Sequence, residues 1–268
     1  MASEYPTLPS PPFHDVPGIF NFRDLGGYSV QPSGSVRSNF IFRSALPTKI
    51  TAAGCDKLVS ELHISHIYDL RSDLEVDRDP SSTITGVDRH HVPVSALKDA
   101  SPEAMALSIK PYLSTDGSKG YVTAYSEIFL SGATAYRRLF GHVRDRPDEP
   151  FLVHCTAGKD RTGCFGALAL RLAGVEDLDV IGKEYGLTDL GLAPLKKMMA
   201  AKVTEATKLN DPAGVERLLA SDPENMKASM LWLEEKYGNV EGYFKSVLGF
   251  SDEDILRIRS NLVVQGDI

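Results

Sequence analysis

Cysteine is scarce in this 268-residue chain, which carries only Cys55, Cys155 and Cys164. An odd, scattered set of that kind does not make a disulfide framework and suits a reducing compartment. Tryptophan is reduced to Trp232 alone. No apolar run reaches the roughly 20 residues that a membrane-spanning helix needs. The opening, MASEYPTLPSPPFHD, has no apolar core behind basic residues, so no secretory signal is expected. Positive charge is also short, with 29 Lys and Arg against 36 Asp and Glu and a formal net charge of −7. That balance argues against broad binding to nucleic acid or to an anionic membrane, although a local basic pocket remains compatible with it. The expectation is a cytoplasmic protein without stable membrane association.

What is present is the composition of an ordinary globular protein, 42% hydrophobic and 24% charged, long enough to bury a good core. Pro6, Pro9, Pro11, Pro12 and Pro17 mark residues 1–17 as an extended, flexible tail, leaving residues 18–268 as a single domain. Strands are expected at Ile19–Phe22 and Asn39–Phe42, with a turn at Gly26 and Gly27 between them. Thr51 reads as the N-cap of a helix reaching about Leu62. His63–Leu70 reads as a buried strand with Asp69 near its carboxyl end, and Val87–Val94 as another, followed by a loop through Asp99. Three helical stretches fill 102–146, broken at Gly117–Gly120 and near Gly132. Phe151–His154 is a short apolar strand, and Arg161–Ala173 a helix apolar on most sides, hence buried. From 176 onward the pattern is helical, and Ser251 with Asp254 forms a capping box. Strands alternating with helices, then helices alone, predict an α/β fold: a sheet flanked by helices with a helical C-terminal addition. Residues 176–222 are expected to cover the site or to flank the sheet.

The chemistry concentrates in His154-Cys-Thr-Ala-Gly-Lys-Asp-Arg-Thr-Gly163, between a predicted strand and a predicted helix. In open α/β sheets ligands sit at the carboxyl ends of strands, and a following helix aims unpaired N–H groups and its positive dipole end at them. No proline interrupts Cys155–Gly163, so Thr156, Ala157, Gly158 and Lys159 offer backbone amides to a tetrahedral anion. Gly158 suits the positive φ that such a nest requires, and Gly163 suits close helix–sheet packing. A thiol with an ordinary pKa of about 8.5 becomes largely thiolate in such a nest, beside Lys159 and Arg161. Cys155 is therefore the expected nucleophile, and Arg161 the planar fork that binds two phosphoryl oxygens. Thr162 is placed to donate its hydroxyl to the sulfur, and His154 to hold the loop rather than act as a base. Lys159 either lowers the thiolate pKa and binds phosphate or points into solvent.

Rival loops fail on spacing. Gly158-Lys159 is followed by Asp160 rather than Ser or Thr, so this is no Walker loop, and no G-x-S-x-G elbow supports a serine hydrolase. A sulfurtransferase would not need Arg161 and Thr162 in this order. A phosphate-binding adaptor is disfavoured by the intact Cys155, Arg161 and Thr162. His90 and His91 point to opposite faces of a strand, a poor metal site. Neither metal nor cofactor is expected. Cys55 and Cys164 read as core thiols.

The loop resembles the protein tyrosine phosphatase superfamily, whose signature is Cys, five residues, Arg, then Ser or Thr. HCTAGKDRTG is more closely similar to the atypical tyrosine/serine phosphatases of bacteria and fungi. Asn21-Phe22-Arg23-Asp24-Leu25-Gly26-Gly27, Phe42-Arg43-Ser44, Asp69-Leu70-Arg71-Ser72 with Glu75, and Lys236-Tyr237-Gly238 through Gly242-Tyr243 extend the resemblance over about residues 17–265. It implies a tyrosine-phosphatase-like, mostly parallel sheet and hydrolysis of phosphomonoesters through a cysteinyl-phosphate. Phosphotyrosine in proteins is the leading substrate, with phosphoserine or phosphothreonine beside it; a phosphoinositide or small phosphomonoester is the alternative. Thr156 stands where phosphoinositide-type loops often carry lysine, which weakens a lipid assignment. Glu184-Tyr185-Gly186-Leu187-Thr188 departs from the pattern with a glycine that bears on the local helix.

The leaving oxygen needs a proton. No mobile Trp-Pro-Asp loop is present, because Trp232 lies after the signature. Asp160, inside the loop where the family places a functional aspartate, ranks first as acid. Asp99 follows, and Asp69 reads as a binding or orienting residue or as a buried partner of Arg71 or Arg23.

Overall fold

Phe151–His154 is buried along its whole length, as expected of a parallel strand covered on both faces. In the computed structural model, which describes residues 7–94, 101–208 and 210–265, it is the central strand of a five-stranded sheet. The strands are β1 (Arg23–Asp24), β2 (Ser35–Val36), β3 (Ile41–Ser44), β4 (His66–Asp69), β5 (Asp88–His91), β6 (Phe151–His154) and β7 (Val263–Val264). The order is β1-β3-β6-β4-β5, parallel throughout except for β1 against β3. Strands β2 and β7 pair separately.

Among the described residues, thirteen α-helices surround these strands. They are α1 (Ala52–Asp56), α2 (Asp73–Arg78), α3 (Pro102–Ile109), α4 (Lys119–Ser131), α5 (Ala133–Asp145), α6 (Asp160–Ala173), α7 (Leu178–Gly186), α8 (Thr188–Gly191), α9 (Lys196–Thr207), α10 (Pro212–Leu219), α11 (Pro223–Tyr237), α12 (Val240–Ser246) and α13 (Asp252–Leu262). Alternate residues of the strands feed two cores. Phe42, Ile67 and Leu152 pack with Val16, Phe22, Leu58 and Ile64. Ile41, Tyr68, Phe151 and Val153 belong to the larger core, which contains Phe165, Leu168, Leu170 and Leu172 of the buried helix α6. The mostly parallel α/β sheet flanked by helices is as expected.

Several boundaries differ from expectation. Asn21 and Asn39 both take φ of 58°, a left-handed conformation that interrupts an extended strand. The first strands therefore begin beyond them, at Arg23 and Ile41, rather than at Ile19 and Asn39. Thr51 caps α1, accepting from the amide of Gly54, but the helix widens into a π-turn over Lys57–Glu61. The tail expected over residues 1–17 joins the core before it ends: Phe13 and Val16 are buried, and the amide of Asp24 donates to the carbonyl of Pro12 at 3.0 Å. The C-terminal part is helical but returns to a short strand at β7. The expected capping box at Ser251 and Asp254 is present.

Candidate active site

The register pairs His154, the last residue of β6, with Ser44 of β3 and Asp69 of β4. The loop of residues 155–159 thus emerges at the carboxyl edge of three parallel strands and runs directly into α6. Gly158 takes φ of +67°, and a Cβ there would lie 2.2 Å from the carbonyl oxygen of Ser44. Only glycine allows this approach, as expected from the loop. Gly163 lets α6 come close to two neighbours: a Cβ on it would meet the Tyr185 ring of α7 at 3.0 Å and the guanidinium of Arg43, on sheet strand β3, at 3.4 Å.

The loop carbonyls are each held from outside. The Thr156 carbonyl accepts from the amide of Leu46 at 3.1 Å, and the Lys159 carbonyl from the amide of Gly163 at 2.8 Å. Asn21 Nδ2 donates to the Ala157 carbonyl at 3.1 Å, and Arg43 Nη2 to the Gly158 carbonyl at 2.7 Å. Tyr136 donates its hydroxyl to the Arg161 carbonyl at 2.8 Å. In a trans peptide the C=O and the next N–H point opposite ways, so tying these carbonyls outward turns the following amides inward. The amides of residues 156–161 donate to no atom among the described residues.

Two of the residues that tie the loop, Asn21 and Arg43, belong to one buried ionic cluster. Glu184 accepts from Arg23 Nε at 2.7 Å and from Arg43 Nη1 at 2.6 Å. Burial would raise the Glu184 carboxyl, but the two guanidinium groups outweigh it and hold it below the ordinary range. Burial and the neighbouring Arg43 push Arg23 down to about 10. Arg23 also donates to Thr188 Oγ1 at 3.0 Å and to the side chain of Asn21. Reasoning from sequence gave Asn21, Arg43 and Glu184 no role beyond their motifs, and offered Arg23 only as a partner of Asp69. The available signal was an arginine directly after the apolar run Phe40-Ile41-Phe42, which needs a partner if the strand carries it into the interior.

Cys155 is 2% exposed. Arg161 presents both terminal nitrogens to Glu75, with Nη1–Oε2 at 2.6 Å and Nη2–Oε1 at 2.8 Å. Such a fork holds the guanidinium plane rigid. Glu75 also accepts from Thr156 Oγ1 and closes a capping box with Ser72 at the start of α2. Burial works against its charge, but Arg161 and Thr156 lower the carboxyl to about 2. Glu75 was legible only as part of a motif. The Thr162 hydroxyl is buried and makes no hydrogen bond among the described residues, so the expected contact with the cysteine sulfur is not formed there. His154 Nδ1 donates to the Cys155 carbonyl at 3.0 Å, and burial lowers the imidazole to about 4 despite Asp69.

Lys159 does not point into solvent. Its ammonium lies 2.8 Å from Asp160 Oδ1 and 3.3 Å from the Ala220 carbonyl, inside the rings of Tyr112, Tyr121 and Tyr185 at 5.6, 5.0 and 6.0 Å. Burial opposes its charge, but Asp160 and the tyrosines raise it well above the ordinary lysine value. Asp160 Oδ1 also accepts from the Tyr125 hydroxyl at 2.7 Å.

Asp69 is fully buried and accepts from Arg71, Ser81 and Arg89. Of the two arginines considered as its partner, Arg71 is the one, and Arg23 lies with Glu184 instead. Asp99 lies outside the described residues. Cys164 is buried as expected, whereas Cys55 is only partly so. His90 bonds to His66 and His91 to the Arg71 carbonyl. Among the described residues no group of three or more His, Cys, Asp or Glu is placed to hold a metal ion.

The sequence profile of the tyrosine phosphatase family matches residues 14–264. The chain is 29% identical to the triple specificity protein phosphatase PtpB of Mycobacterium tuberculosis, over 93% of this chain and 98% of that protein. It is also 29% identical to a tyrosine-protein phosphatase of Nostoc commune, over 52% of this chain and 48% of the other. Among solved structures, P. aeruginosa TpbA in complex with pTyr aligns at 13% identity and a TM-score of 0.30, covering 77% of this chain and 96% of that one. The catalytic core of the S. cerevisiae PP-IP phosphatase Siw14 aligns at 15% identity and a TM-score of 0.29, covering 80% and 93%. The chain belongs to the tyrosine phosphatase family.

Proposed function

We propose that this phosphatase hydrolyses phosphotyrosine in proteins, and phosphoserine or phosphothreonine beside it, through a phosphate ester of Cys155. The observation that carries this reading is the loop of residues 155–161. Its carbonyls are tied outward by Leu46, Asn21, Arg43 and Tyr136, which leaves a concave set of amides beside a guanidinium already aligned by Glu75. Electrostatic preorganisation of that kind stabilises charge on transferring phosphoryl oxygens.

In the first step the Cys155 thiolate attacks phosphorus, a P–S bond forms, and the P–O bond to the leaving oxygen breaks. Asp160 gives that oxygen its proton. Water then attacks the cysteinyl-phosphate, passes its proton back to the Asp160 carboxylate, and releases phosphate and the thiolate. Thr162, whose hydroxyl is free to turn, donates to the departing sulfur. Lys159 works on Asp160 rather than on the phosphate itself, because Asp160 and three tyrosine rings enclose its ammonium. Arg161 is then the cation of the loop left to face substrate. This favours a single phosphate over a polyphosphorylated headgroup, in keeping with Thr156 in the position where phosphoinositide-type loops carry lysine. The triple-specificity name of the mycobacterial relative is in keeping with a range wider than phosphotyrosine alone.

Helices α8–α10 are proposed as a cover over the site mouth. The Ala220 carbonyl at their end accepts from Lys159, and Tyr121 donates to the Arg217 carbonyl at 2.7 Å. Three free cysteines support a reducing, cytoplasmic setting, and among the described residues no helix is long and apolar enough to cross a membrane.

The test pairs a substrate panel with a trapping variant. Cys155→Ser should lose all but a trace of turnover yet still bind tungstate, since the amide nest does not depend on sulfur. Phosphotyrosyl peptides should give the highest kcat/KM of a panel that includes phosphoseryl peptides, phosphoinositides and small phosphomonoesters. Substantial turnover by Cys155→Ser would overturn the covalent mechanism, and a phosphoinositide at the head of the panel would overturn the substrate assignment.

A further inference from the structure

The carboxylate of Asp160 is the end of a one-way hydrogen-bond chain. Tyr125 donates its hydroxyl to Oδ1 at 2.7 Å, so its single proton is committed and its oxygen must accept from Tyr185, whose hydroxyl lies 2.7 Å away. Tyr185 in turn can accept only from a donor, and the Lys159 ammonium stands 3.5 Å from it. Lys159 closes the ring by donating to the same Oδ1 at 2.8 Å. An ammonium has no lone pair and each phenol has one proton, so every proton in the ring runs toward Oδ1. Burial keeps the Tyr125 and Tyr185 hydroxyls protonated, well above their ordinary range.

Two donors on Oδ1 leave no place there for a proton. The proton that Asp160 gives to a leaving oxygen therefore sits on Oδ2, which makes no hydrogen bond among the described residues. We propose that Tyr125, supported by Tyr185, is a positioning residue for protonation of the leaving group: it fixes the rotation of the Asp160 carboxyl so that Oδ2 faces the scissile oxygen. The same bond supports the negative charge that spreads onto Oδ1 as the Oδ2–H bond breaks and the proton joins the leaving oxygen. Charge-assisted bonds of this kind strengthen as charge develops. This inference rests on the reading of Asp160 as the acid.

The experiment is a leaving-group series of aryl and alkyl phosphates on the full chain, run in parallel on Tyr125→Phe, Tyr185→Phe and Asp160→Asn, with tungstate affinity and melting temperature measured for each. Tyr125→Phe should lower kcat for alkyl phosphates by about ten- to a hundredfold, the worth of one hydrogen bond to a charged group. It should leave tungstate binding nearly unchanged, and also kcat/KM for aryl phosphates with good leaving groups, which reports only the step in which the P–O bond breaks. Tyr185→Phe should act in the same direction and more weakly, because Tyr125 still donates to Oδ1 without it, and it carries the test if Tyr125→Phe does not fold. A fall that is equal for all leaving groups, or no fall at all, in Tyr125→Phe while Asp160→Asn is steeply leaving-group dependent overturns the positioning role alone. An Asp160→Asn variant that lacks leaving-group dependence overturns the acid assignment and, with it, the role of Tyr125.

Discussion

At the scale of single residues, the site is governed by partners that have no chemistry of their own to perform. Glu75 is the clearest case. Its carboxylate takes both ends of the Arg161 fork and the Thr156 hydroxyl while also capping α2 through Ser72. Glutamine satisfies a capping box as well as glutamate does, so Glu75→Gln separates the two tasks. It keeps the helix start and removes the charge that aligns Arg161. We expect the melting temperature to move little and kcat/KM to fall by about a hundredfold, the usual consequence of misplacing a reacting-group contact. Steady-state kinetics on one aryl phosphate would decide it, and wild-type kinetics would remove Glu75 from the account. That Cys155 and Arg161 belong to one loop at a helix start was legible from their spacing. That Arg161 needs Glu75 was not, because the two stand 86 positions apart.

At the scale of elements, α7 matters more than its sequence suggests. The glycine in Glu184–Thr188 leaves the helix intact through Gly186, and its place is explained by a close crossing with the start of α11. A Cβ on Gly182 would stand 2.8 Å from the Pro223 carbonyl oxygen, and one on Gly186 3.0 Å from the Pro223 ring. The crossing seats Glu184 behind the phosphate loop and Tyr185 beside Tyr125. Gly182→Ala should push the helices apart at a cost of roughly 1–3 kcal/mol, the range for overpacking, and lower kcat as well. Gly141 in α5 has nothing within 4 Å of its would-be Cβ. Gly141→Ala should therefore stabilise by about 0.5–1 kcal/mol through helix propensity alone, with no change in turnover. Urea midpoints and kcat for the pair give the comparison. Equal behaviour of the two variants would mean that the α7–α11 contact carries no function.

At the scale of the whole molecule, acid should weaken the fold before it titrates the ion pairs of the site. His142 and His154 are buried, and burial lowers both imidazoles to about 4 from an ordinary 6.5. Above pH 6.5 neither state binds the proton, and the stability they contribute is fully present. As pH falls from about 6.5 to 4, the unfolded chain takes up protons that the folded chain refuses, and stability drains by roughly 3 kcal/mol for each group. The melting temperature should therefore drop steadily across that window, and a flat profile between pH 7 and 4 would refute the assignment. Glu75, depressed from 4.5 to about 2, loses its contribution only in the lower window between those values.

The sequence by itself determined the parts whose geometry is local. Phe151–His154, Gly158 and α6 lie within 25 consecutive residues, so strand, anion nest and helix N-terminus follow from neighbouring φ, ψ and burial preferences. The loop position of Cys155, Gly158 and Arg161 was readable there for the same reason, as were the helix starts at Thr51 and Ser251. Only the tertiary structure decided what holds them. Arg43 reaches Gly158 across 115 positions, Arg23 reaches Glu184 across 161, and Tyr125 reaches Asp160 across 35. Those pairs depend on β3 lying beside β6 and on α4 and α7 closing over α6. Burial of the whole core sets that adjacency; no local pattern encodes it. A buried arginine announces that it needs a partner, but only the packed sheet and helices settle which carboxylate it meets.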